Sequence, residues 1–236
     1  MSDFKALLFD VGGSVFNWKD AVAPLIRQKA EKYSAAVDVE AFAMKWRVGM
    51  FVVLARLHRN EIPHCNMDDM LAIALDDLLA ETPALTLDEV DKADLLQGWH
   101  QMDVWQEFPE ALERLKSKFT VGILSVLSLA ILVDSNKYAG VAWDAVISCE
   151  FLSKYKQQPE SYLEGAALLG LKPSQICFVA VHPSDLLAAK GTGMHTAFVT
   201  PKKDSEPEFM GAPAHNLDDF DFNADDYTDL CDKLGC

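Results

Sequence analysis

The residue best suited to chemistry is Asp10, which ends a short apolar run and is followed directly by Gly12, Gly13 and the hydroxyl of Ser14. A buried strand that stops at an Asp with a glycine turn behind it places that carboxylate at the carboxyl end of a sheet, where open α/β sheets bind ligands. Glycines let backbone N–H groups approach a ligand closely. An Asp held this way can act as a covalent nucleophile, although it could also cap the next helix.

Further polar residues follow the other predicted core strands or segments, and they are, in chain order, Ser125, Lys156, His182 and Asp185. Because the carboxyl ends of parallel strands share one edge of a sheet, we expect these side chains to converge on one pocket with Asp10. Each has a plain alternative when taken alone. Ser125 and Asp185 could cap helices, and Lys156 could be a second lysine beside Lys154. Their recurrence in order favours a site.

Two different periodicities divide the chain. Apolar residues at three- and four-residue spacing predict helices over 21–36, 40–58, 67–79 and 87–99, a block of roughly 80 residues without an obvious strand. From about Pro109 onward, strands predicted at 120–124, 145–148, 176–181 and 196–199 alternate with helices at 110–118, 127–138, 159–169 and 184–190, which is typical of a parallel sheet with right-handed crossovers. The tail after about Lys202 is acidic and poor in pattern.

The first strand, at residues 4–9, most simply belongs to the same sheet as the later strands. The helical block is then an insert that covers the carboxyl edge of the sheet. We therefore predict an α/β fold, with a Rossmann-like parallel-sheet core at residues 1–17 and 104–236 and an inserted helical cap domain at residues 18–103.

Composition limits the classes of function. The 236 residues carry a formal net charge of −15, so no basic stripe is available for a nucleic-acid partner, and any anion site must be built locally. No apolar stretch is long enough to span a membrane, and no signal peptide is evident. Five scattered cysteines without a CxxC pair are most simply reduced thiols. We expect a cytoplasmic protein with no membrane partner.

Over nearly its whole length the chain resembles the haloacid dehalogenase superfamily, and within it the 2-haloacid dehalogenase (type II) branch. The segments that carry the resemblance are Phe9–Trp18, Trp46-Arg47, Trp143–Val146, Tyr155-Lys156, Pro159–Leu163, His182–Ala189 and Thr196–Val199. The resemblance implies a Rossmann-like core with a helical cap, a small-molecule 2-haloacid substrate, and neither a metal nor another cofactor.

The same resemblance implies a two-step mechanism. Asp10 attacks C2 of an (S)-2-haloacid and expels halide, which leaves an ester on the Asp10 carboxyl group. Water then attacks that carboxyl carbon and releases the (R)-2-hydroxy acid. Asp185 would activate or place the water, Lys156 would hold both carboxylates ionised, and Ser14 would hydrogen-bond Asp10. An ammonium within about 4 Å lowers the pKa of a carboxylate, which keeps a nucleophile charged.

The resemblance also places residues around the substrate. Arg47, from the cap, would receive the halide, although its plain alternatives are a solvated side chain or an ion pair with Glu40 or Asp38. The positions expected at the substrate are Val11, Gly12, Ser125, Val126 and His182. Gly12 stands where this branch usually has an aromatic residue, so it either widens the pocket or is covered by a neighbour. Val126 replaces an asparagine.

Two other functions compete with this prediction. Phosphatases of the superfamily hold Mg²⁺ partly through an acidic pair in the last motif, and the matching residues here are Ala180 and Val181. Neither side chain has the oxygen that a hard cation requires, so we predict no metal. A phosphatase-type hydrolase is nevertheless the second candidate, and a non-catalytic binding protein is the third. An exposed apolar stripe on a cap helix could support a homodimer.

Overall fold

The computed structural model describes residues 4–202 and 216–236, and a six-stranded parallel sheet forms its centre. The strands are β1 (Ala6–Phe9), β4 (Thr120–Ser125), β5 (Ala145–Ser148), β6 (Ile176–Ala180), β7 (His195–Val199) and β8 (Phe222–Ala224), in the spatial order β5-β4-β1-β6-β7-β8. All neighbouring pairs are parallel. The first strand is buried at every position, as its unbroken apolar run predicts. The α/β prediction is confirmed.

Helices connect the strands and flank this sheet, as parallel crossovers require. They are α5 (Phe108–Lys116), α6 (Leu129–Ala139), α7 (Pro159–Leu168), α8 (Pro183–Gly191) and α9 (Tyr227–Leu234). Two of them, α7 and α8, begin with proline, whose missing N–H costs nothing in the first turn of a helix. Short 3₁₀ turns lie at Cys149–Phe151, Pro173–Gln175 and Leu217–Asp219.

Four helices are inserted after β1 and make the cap. They are α1 (Trp18–Lys32), α2 (Val39–His58), α3 (Met67–Ala80) and α4 (Glu89–Gly98), and each has an Asn or Asp at its N-cap that accepts a backbone N–H. A two-stranded antiparallel ribbon, β2 (Phe16–Asn17) with β3 (Asp103–Val104), joins the two points where the chain leaves and re-enters the core. Sequence periodicity missed this ribbon because each strand has two residues. The exact domain boundaries stay a prediction.

Aromatic packing and a buried ion network hold the cap together. The Trp18 and Trp99 rings stack at 5.6 Å, and Trp46 meets Trp99 edge-on at 5.5 Å. On the outer side Lys29 donates to Asp91 at 2.8 Å, which links α1 to α4. A buried charge needs such a partner.

Residues 216–236, at the end of the acidic tail, contain more secondary structure than their sequence suggested. Residues 203–215 lie outside the described part of the chain, but the segment beyond them adds β8 to the edge of the sheet and packs α9 against α5 through Leu230, Cys231 and Leu234, which are all buried. The interpretation of the tail as poor in pattern was therefore incomplete. In α9 the apolar residues recur every three or four positions, but an eight-residue helix gives little signal.

The structure also describes the cysteines, the membrane-spanning potential of the helices and an exposed apolar patch on α2. All five cysteines are free thiols. Among the described residues, none of the helices has the length and apolar character needed to cross a membrane. On α2 the side chains of Val48 and Val52 are exposed one turn apart, and the homodimer through such a stripe stays a prediction.

Candidate active site

Asp10 lies at the carboxyl end of the central strand and is only 6% exposed. Its N–H donates to the carbonyl of Val179 at 2.9 Å, which continues the pairing of β1 with β6. A turn follows, in which Gly13 has a φ of 86°, a value that glycine adopts without strain. The Ser14 hydroxyl turns back and donates to Asp10 Oδ2 at 2.6 Å. The Asp10 carboxylate thus accepts a hydrogen bond from a side chain and does not cap a helix.

Lys156 bridges two carboxylates. Its Nζ donates to Asp10 Oδ1 at 2.8 Å and to Asp185 Oδ2 at 2.8 Å, and the side chain is 3% exposed. Lys154 is exposed, so the alternative that Lys156 is merely a second surface lysine is wrong. The strand predicted at 145–148 is β5, which ends at Ser148, and a 3₁₀ turn and a loop carry the chain onward to Lys156.

Asp185 lies in the first turn of α8, but it does not cap that helix, whose N-cap is His182. Its carboxylate points inward, where Tyr162 donates its hydroxyl to Oδ1. Tyr162 is fully buried on α7. Sequence reasoning included Tyr162 in a resembling segment but gave it no role. A buried tyrosine needs a hydrogen-bond partner for its hydroxyl, and this requirement is the one feature that could have indicated a role for Tyr162.

Opposing effects set the charges of this cluster. Burial raises the pKa of Asp10, but the Lys156 ammonium and the hydrogen bond from His182 outweigh it, so the pKa of Asp10 lies well below its usual value. Burial also lowers the pKa of Lys156, and the two carboxylates more than reverse that, so its pKa lies above its usual value. Asp10 is therefore a carboxylate and Lys156 an ammonium at neutral pH.

Asp185 behaves differently from Asp10, although both touch the same lysine. Burial raises the pKa of Asp185, and the negative charge of Asp10 adds to this effect, while Lys156 opposes both. Its pKa consequently lies above the usual value for an aspartic acid. Two coupled carboxyl groups whose pKa values are pushed apart are typical of sites where one group acts as nucleophile and the other as proton acceptor.

His182 joins the cluster from the turn between β6 and α8. Its Nδ1 lies 3.1 Å from Asp10 Oδ2. An ionised carboxylate can only accept a hydrogen bond, so Nδ1 carries the proton. His182 was predicted to contact the substrate, and the structure places it against the nucleophile.

Arg47 reaches the site from α2 in the cap. Its side chain is 2% exposed, and its Nη2 donates to the carbonyl oxygen of Gly12 at 2.7 Å. The guanidinium lies over the Phe51 ring at 4.9 Å and the Trp18 ring at 5.5 Å. The solvated alternative for Arg47 is therefore wrong. Glu40 pairs with Lys19 instead, at 2.7 Å.

The space above Gly12 is occupied. A Cβ at this position would lie 3.6 Å from both terminal nitrogens of Arg47 and 3.6 Å from Leu127 Cδ1, which are ordinary contact distances. Of the two readings of Gly12, the structure thus favours cover by a neighbour over a widened pocket. Because Gly12 has no side chain, Arg47 of the cap can contact the backbone next to Asp10.

The remaining predicted substrate positions surround the strand ends. Ser125 is fully buried, and its Oγ accepts the N–H of Leu127 at 3.1 Å. It does not cap α6, because Ser128 is the N-cap there. Val11 is buried next to Asp10, and Val126 is half-buried beside Ser125. The roles of these residues stay predictions.

Two residues that the sequence analysis missed fix the turn that carries Ser14. The indole N–H of Trp105 and the hydroxyl of Tyr227 both donate to the Ser14 carbonyl, at 2.9 and 2.7 Å. Trp105 directly follows the ribbon strand β3, and Tyr227 begins α9. They lie 91 and 213 residues from Ser14 in sequence, so no local pattern could reveal them.

Comparisons with known proteins agree with the fold and extend over nearly the whole chain. No family model matches the chain. This chain is 26% identical over 219 residues to an (S)-2-haloacid dehalogenase of Burkholderia cepacia, with 90% of each chain covered. The solved structure of an L-2-haloacid dehalogenase of Xanthobacter autotrophicus, at 22% identity and 98% coverage of both chains, has the same fold with a TM-score of 0.82.

A defluorinating L-2-haloacid dehalogenase of known structure is more similar in sequence. It is 30% identical, with 99% of this chain and 96% of that chain covered and a TM-score of 0.89. Similarity at this level extends through both the sheet and the inserted helices. The chain is thus a hydrolase of the haloacid dehalogenase superfamily and belongs to its 2-haloacid dehalogenase type.

Proposed function

We propose that this protein hydrolyses short (S)-2-haloacids to (R)-2-hydroxy acids through an ester on Asp10. The observation that carries the proposal is the Lys156 ammonium, which lies 2.8 Å from a carboxylate oxygen of both Asp10 and Asp185. One cation thereby keeps a nucleophile ionised and holds a second carboxylate beside it. The relatives named for haloacid dehalogenation support the substrate class.

In the first step Asp10 attacks C2 of the haloacid from the side opposite the halogen. Negative charge leaves the carboxylate and builds up on the departing halide. Arg47 stabilises this charge because its guanidinium is buried. A hydrogen bond to the carbonyl of Gly12, which is two residues after Asp10 in sequence, holds it in place. A fixed cation in a site that excludes water stabilises a charge that develops only in the transition state.

The substrate carboxylate is held at the ends of β1 and β4. Ser125 uses its oxygen to accept from Leu127, and a hydroxyl that accepts one bond still has its O–H to donate. We assign this O–H, with the backbone N–H groups of Val11 and Gly12, to the substrate carboxylate. A carboxylate fixed on this side and a halide directed to Arg47 on the other would select one enantiomer.

In the second step water attacks the carboxyl carbon of the Asp10 ester. Asp185 accepts the proton of the water, which fits a carboxyl group whose pKa is raised by burial and by Asp10. Tyr162 and Lys156 hold both Asp185 oxygens, so the base keeps its orientation while the proton moves.

The donor set distinguishes this reaction from magnesium-dependent phosphate transfer. The Lys156 ammonium lies between Asp10 and Asp185, 2.8 Å from a carboxylate oxygen of each. The neighbouring Ala180 and Val181 at the end of β6 offer no side-chain oxygen. We therefore propose that the reaction is metal-independent.

The test is chloride release from (S)- and (R)-2-chloropropionate in the presence of EDTA. We expect release from the (S) substrate alone, an (R) product, and loss of activity in Asp10→Asn, which keeps the size of the side chain but removes the nucleophilic charge. Mass spectrometry of the quenched protein should show an adduct on Asp10.

Other outcomes would identify the alternatives. Phosphate release from a phosphomonoester that requires Mg²⁺ would support the phosphatase-type hydrolase. A shift of the melting temperature by 2-chloropropionate, without turnover and without an adduct, would support a binding protein. Chloride release that Asp10→Asn retains would contradict the ester mechanism directly.

A further inference from the structure

The two carboxylate oxygens of Asp10 have different hydrogen-bond partners. Oδ1 accepts from Lys156 Nζ at 2.8 Å. Oδ2 accepts from Ser14 Oγ at 2.6 Å and from His182 Nδ1 at 3.1 Å. One oxygen thus lies against a lysine that also touches Asp185, and the other lies between two donors. This asymmetry bears on which oxygen attacks.

Both donors to Oδ2 are fixed by the end of β6. The N–H of Val181 donates to Ser14 Oγ at 3.3 Å. This bond uses an acceptor lone pair of the hydroxyl and directs its O–H toward Asp10. His182 is the next residue and forms the N-cap position of α8. One donor thus comes from the turn after β1 and is bonded to Val181, and the other comes from the residue that follows Val181.

Hydrolysis of an ester at its carboxyl carbon makes a specific demand on the site. When water adds, the carbonyl oxygen takes up a negative charge in the tetrahedral intermediate. Donors already directed at that oxygen lower the barrier because they need no rearrangement when the charge appears. Two donors at one oxygen are the arrangement that acyl-transfer sites use for this purpose.

We propose that Oδ1 of Asp10 attacks the substrate, and that Oδ2 remains as the ester carbonyl oxygen, with Ser14 O–H and His182 Nδ1–H as its oxyanion hole. This inference rests on the proposed function and adds His182 to the catalytic residues of its second step. His182 thereby acts as a hydrogen-bond donor to the reacting carboxyl group.

The atoms balance under this assignment. The Oδ1–C2 bond forms as the carbon–halogen bond breaks, and the halide leaves with the electron pair. Water adds to Cγ and gives one proton to Asp185. The Cγ–Oδ1 bond then breaks, and Oδ1 leaves as the alkoxide of the product. Lys156, which lies against Oδ1, protonates that alkoxide and is reprotonated by Asp185. The water oxygen stays on Asp10, and its second proton passes to solvent.

The test compares His182→Ala with His182→Asn by rapid-quench measurement of halide release from (S)-2-chloropropionate. The asparagine amide nitrogen can take the place of Nδ1 as a donor but cannot act as a base. We expect His182→Ala to keep a fast burst of one chloride per site, to slow steady-state turnover by about 10²- to 10³-fold, and to accumulate the Asp10 ester. His182→Asn should accumulate far less ester. Melting temperatures of both variants control for folding.

Ser14→Ala provides a second, independent variant, because it removes the other donor from the same oxygen. It should also accumulate the ester. If the burst rather than the steady state slows in His182→Ala, or if His182→Asn traps as much ester as His182→Ala, the oxyanion-hole assignment is wrong and His182 serves the attack or acts as a base. If the wild-type protein forms neither halide nor adduct, the proposed function itself fails.

Discussion

Among single residues, Lys156 has the largest effect on the charges of the site. Burial alone would raise the pKa of Asp10, and the ammonium reverses this. Because the pKa of Asp10 is lowered in the folded protein, this group adds stability above its unfolded pKa of about 3.9, and the contribution is lost as pH falls through the lower folded value. Asp185 has a raised pKa, so the acid limb of activity should belong to Asp185.

Lys156→Met tests this interpretation, with Lys154→Met as the matched control in the same loop. Without the ammonium, two buried carboxylates lose their shared cation, and the pKa values of both should rise. We expect the acid limb of halide release to move to higher pH and the free energy of unfolding to fall by roughly 3–5 kcal/mol. The measurements are pH–rate profiles and urea unfolding. An equal effect of Lys154→Met would contradict the bridging role.

Gly12 gives a second prediction at the same scale. A methyl group at this position meets Arg47 and Leu127 at ordinary contact distances, so Gly12→Ala should keep its melting temperature and most of its activity. Gly12→Leu would need the space of the guanidinium and should slow halide release by about 10²-fold, the cost of a misplaced catalytic group. Full activity of Gly12→Leu would show that Arg47 is not needed where it lies.

Local sequence identified the residues of the site whose chemical type is itself informative. Asp10 was predicted from a strand followed by a glycine turn, Lys156 and Asp185 from their order along the chain and from the family resemblance, and the role of Ser14 from the resemblance alone. Trp105 and Tyr227 could not be predicted, because their contacts with the Ser14 carbonyl depend on tertiary packing. That Arg47 fills the space above Gly12 could not be predicted either, because it depends on where the cap helix α2 lies.

At the scale of elements, His100 links the cap to the core. Its Nε2 lies 2.7 Å from Asp68 on α3, and its Nδ1 lies 2.8 Å from Asp134 on α6. The hydrogen bond to Asp68 raises the pKa of His100, burial opposes it, and Asp134 raises it further. A protonated His100 therefore holds a cap helix and a core helix together through two charged hydrogen bonds.

The bridge should respond to pH. A group whose folded pKa is raised contributes its full stability below the unfolded value, about 6.5 for histidine, and loses it as pH rises through the folded value. We expect the melting temperature of His100→Gln to fall below that of wild type by several degrees in acid, and the difference to shrink as pH rises above 6.5. His64→Gln, at an exposed histidine, is the control. A difference independent of pH would mean that the bridge is not ionic.

Elements with a strong period were predictable from sequence, and those with few residues were not. The helix predicted at 40–58 is α2 at Val39–His58, because its apolar period extends over five turns. In contrast, β8 has three residues and β3 has two. Such strands are specified by the neighbours they pair with, so β8 becomes recognisable only once β7 presents an edge.

At the scale of the whole molecule, the net charge of −15 opposes the approach of an anionic substrate. Arg47 and Lys156 are buried, so they provide cations at the end of the approach rather than a long-range attraction. Salt screens charges beyond a Debye length of about 10 Å at 0.1 M. The repulsion should therefore weaken as salt is added.

We expect kcat/KM for (S)-2-chloropropionate to rise several-fold between low and moderate concentrations of sodium sulfate, since encounter between like charges is favoured by screening. The internal control is kcat at saturating substrate, which should change little because the substrate is already bound. A fall in kcat/KM with salt would instead indicate that the surface around the entrance attracts anions.

The central position of β1 has a consequence for how the molecule is made. This strand precedes the other strands of the sheet in the chain, yet its partners begin at Thr120 on one side and Ile176 on the other. At a translation rate of about 5–20 residues per second, it waits roughly 10–30 s for its second neighbour. Tyr227, which holds the Ser14 carbonyl, arrives later still. The nascent chain must keep this fully apolar strand from aggregating throughout that interval, and the Ser14 turn gains its hydrogen bond from Tyr227 only after α9 has docked.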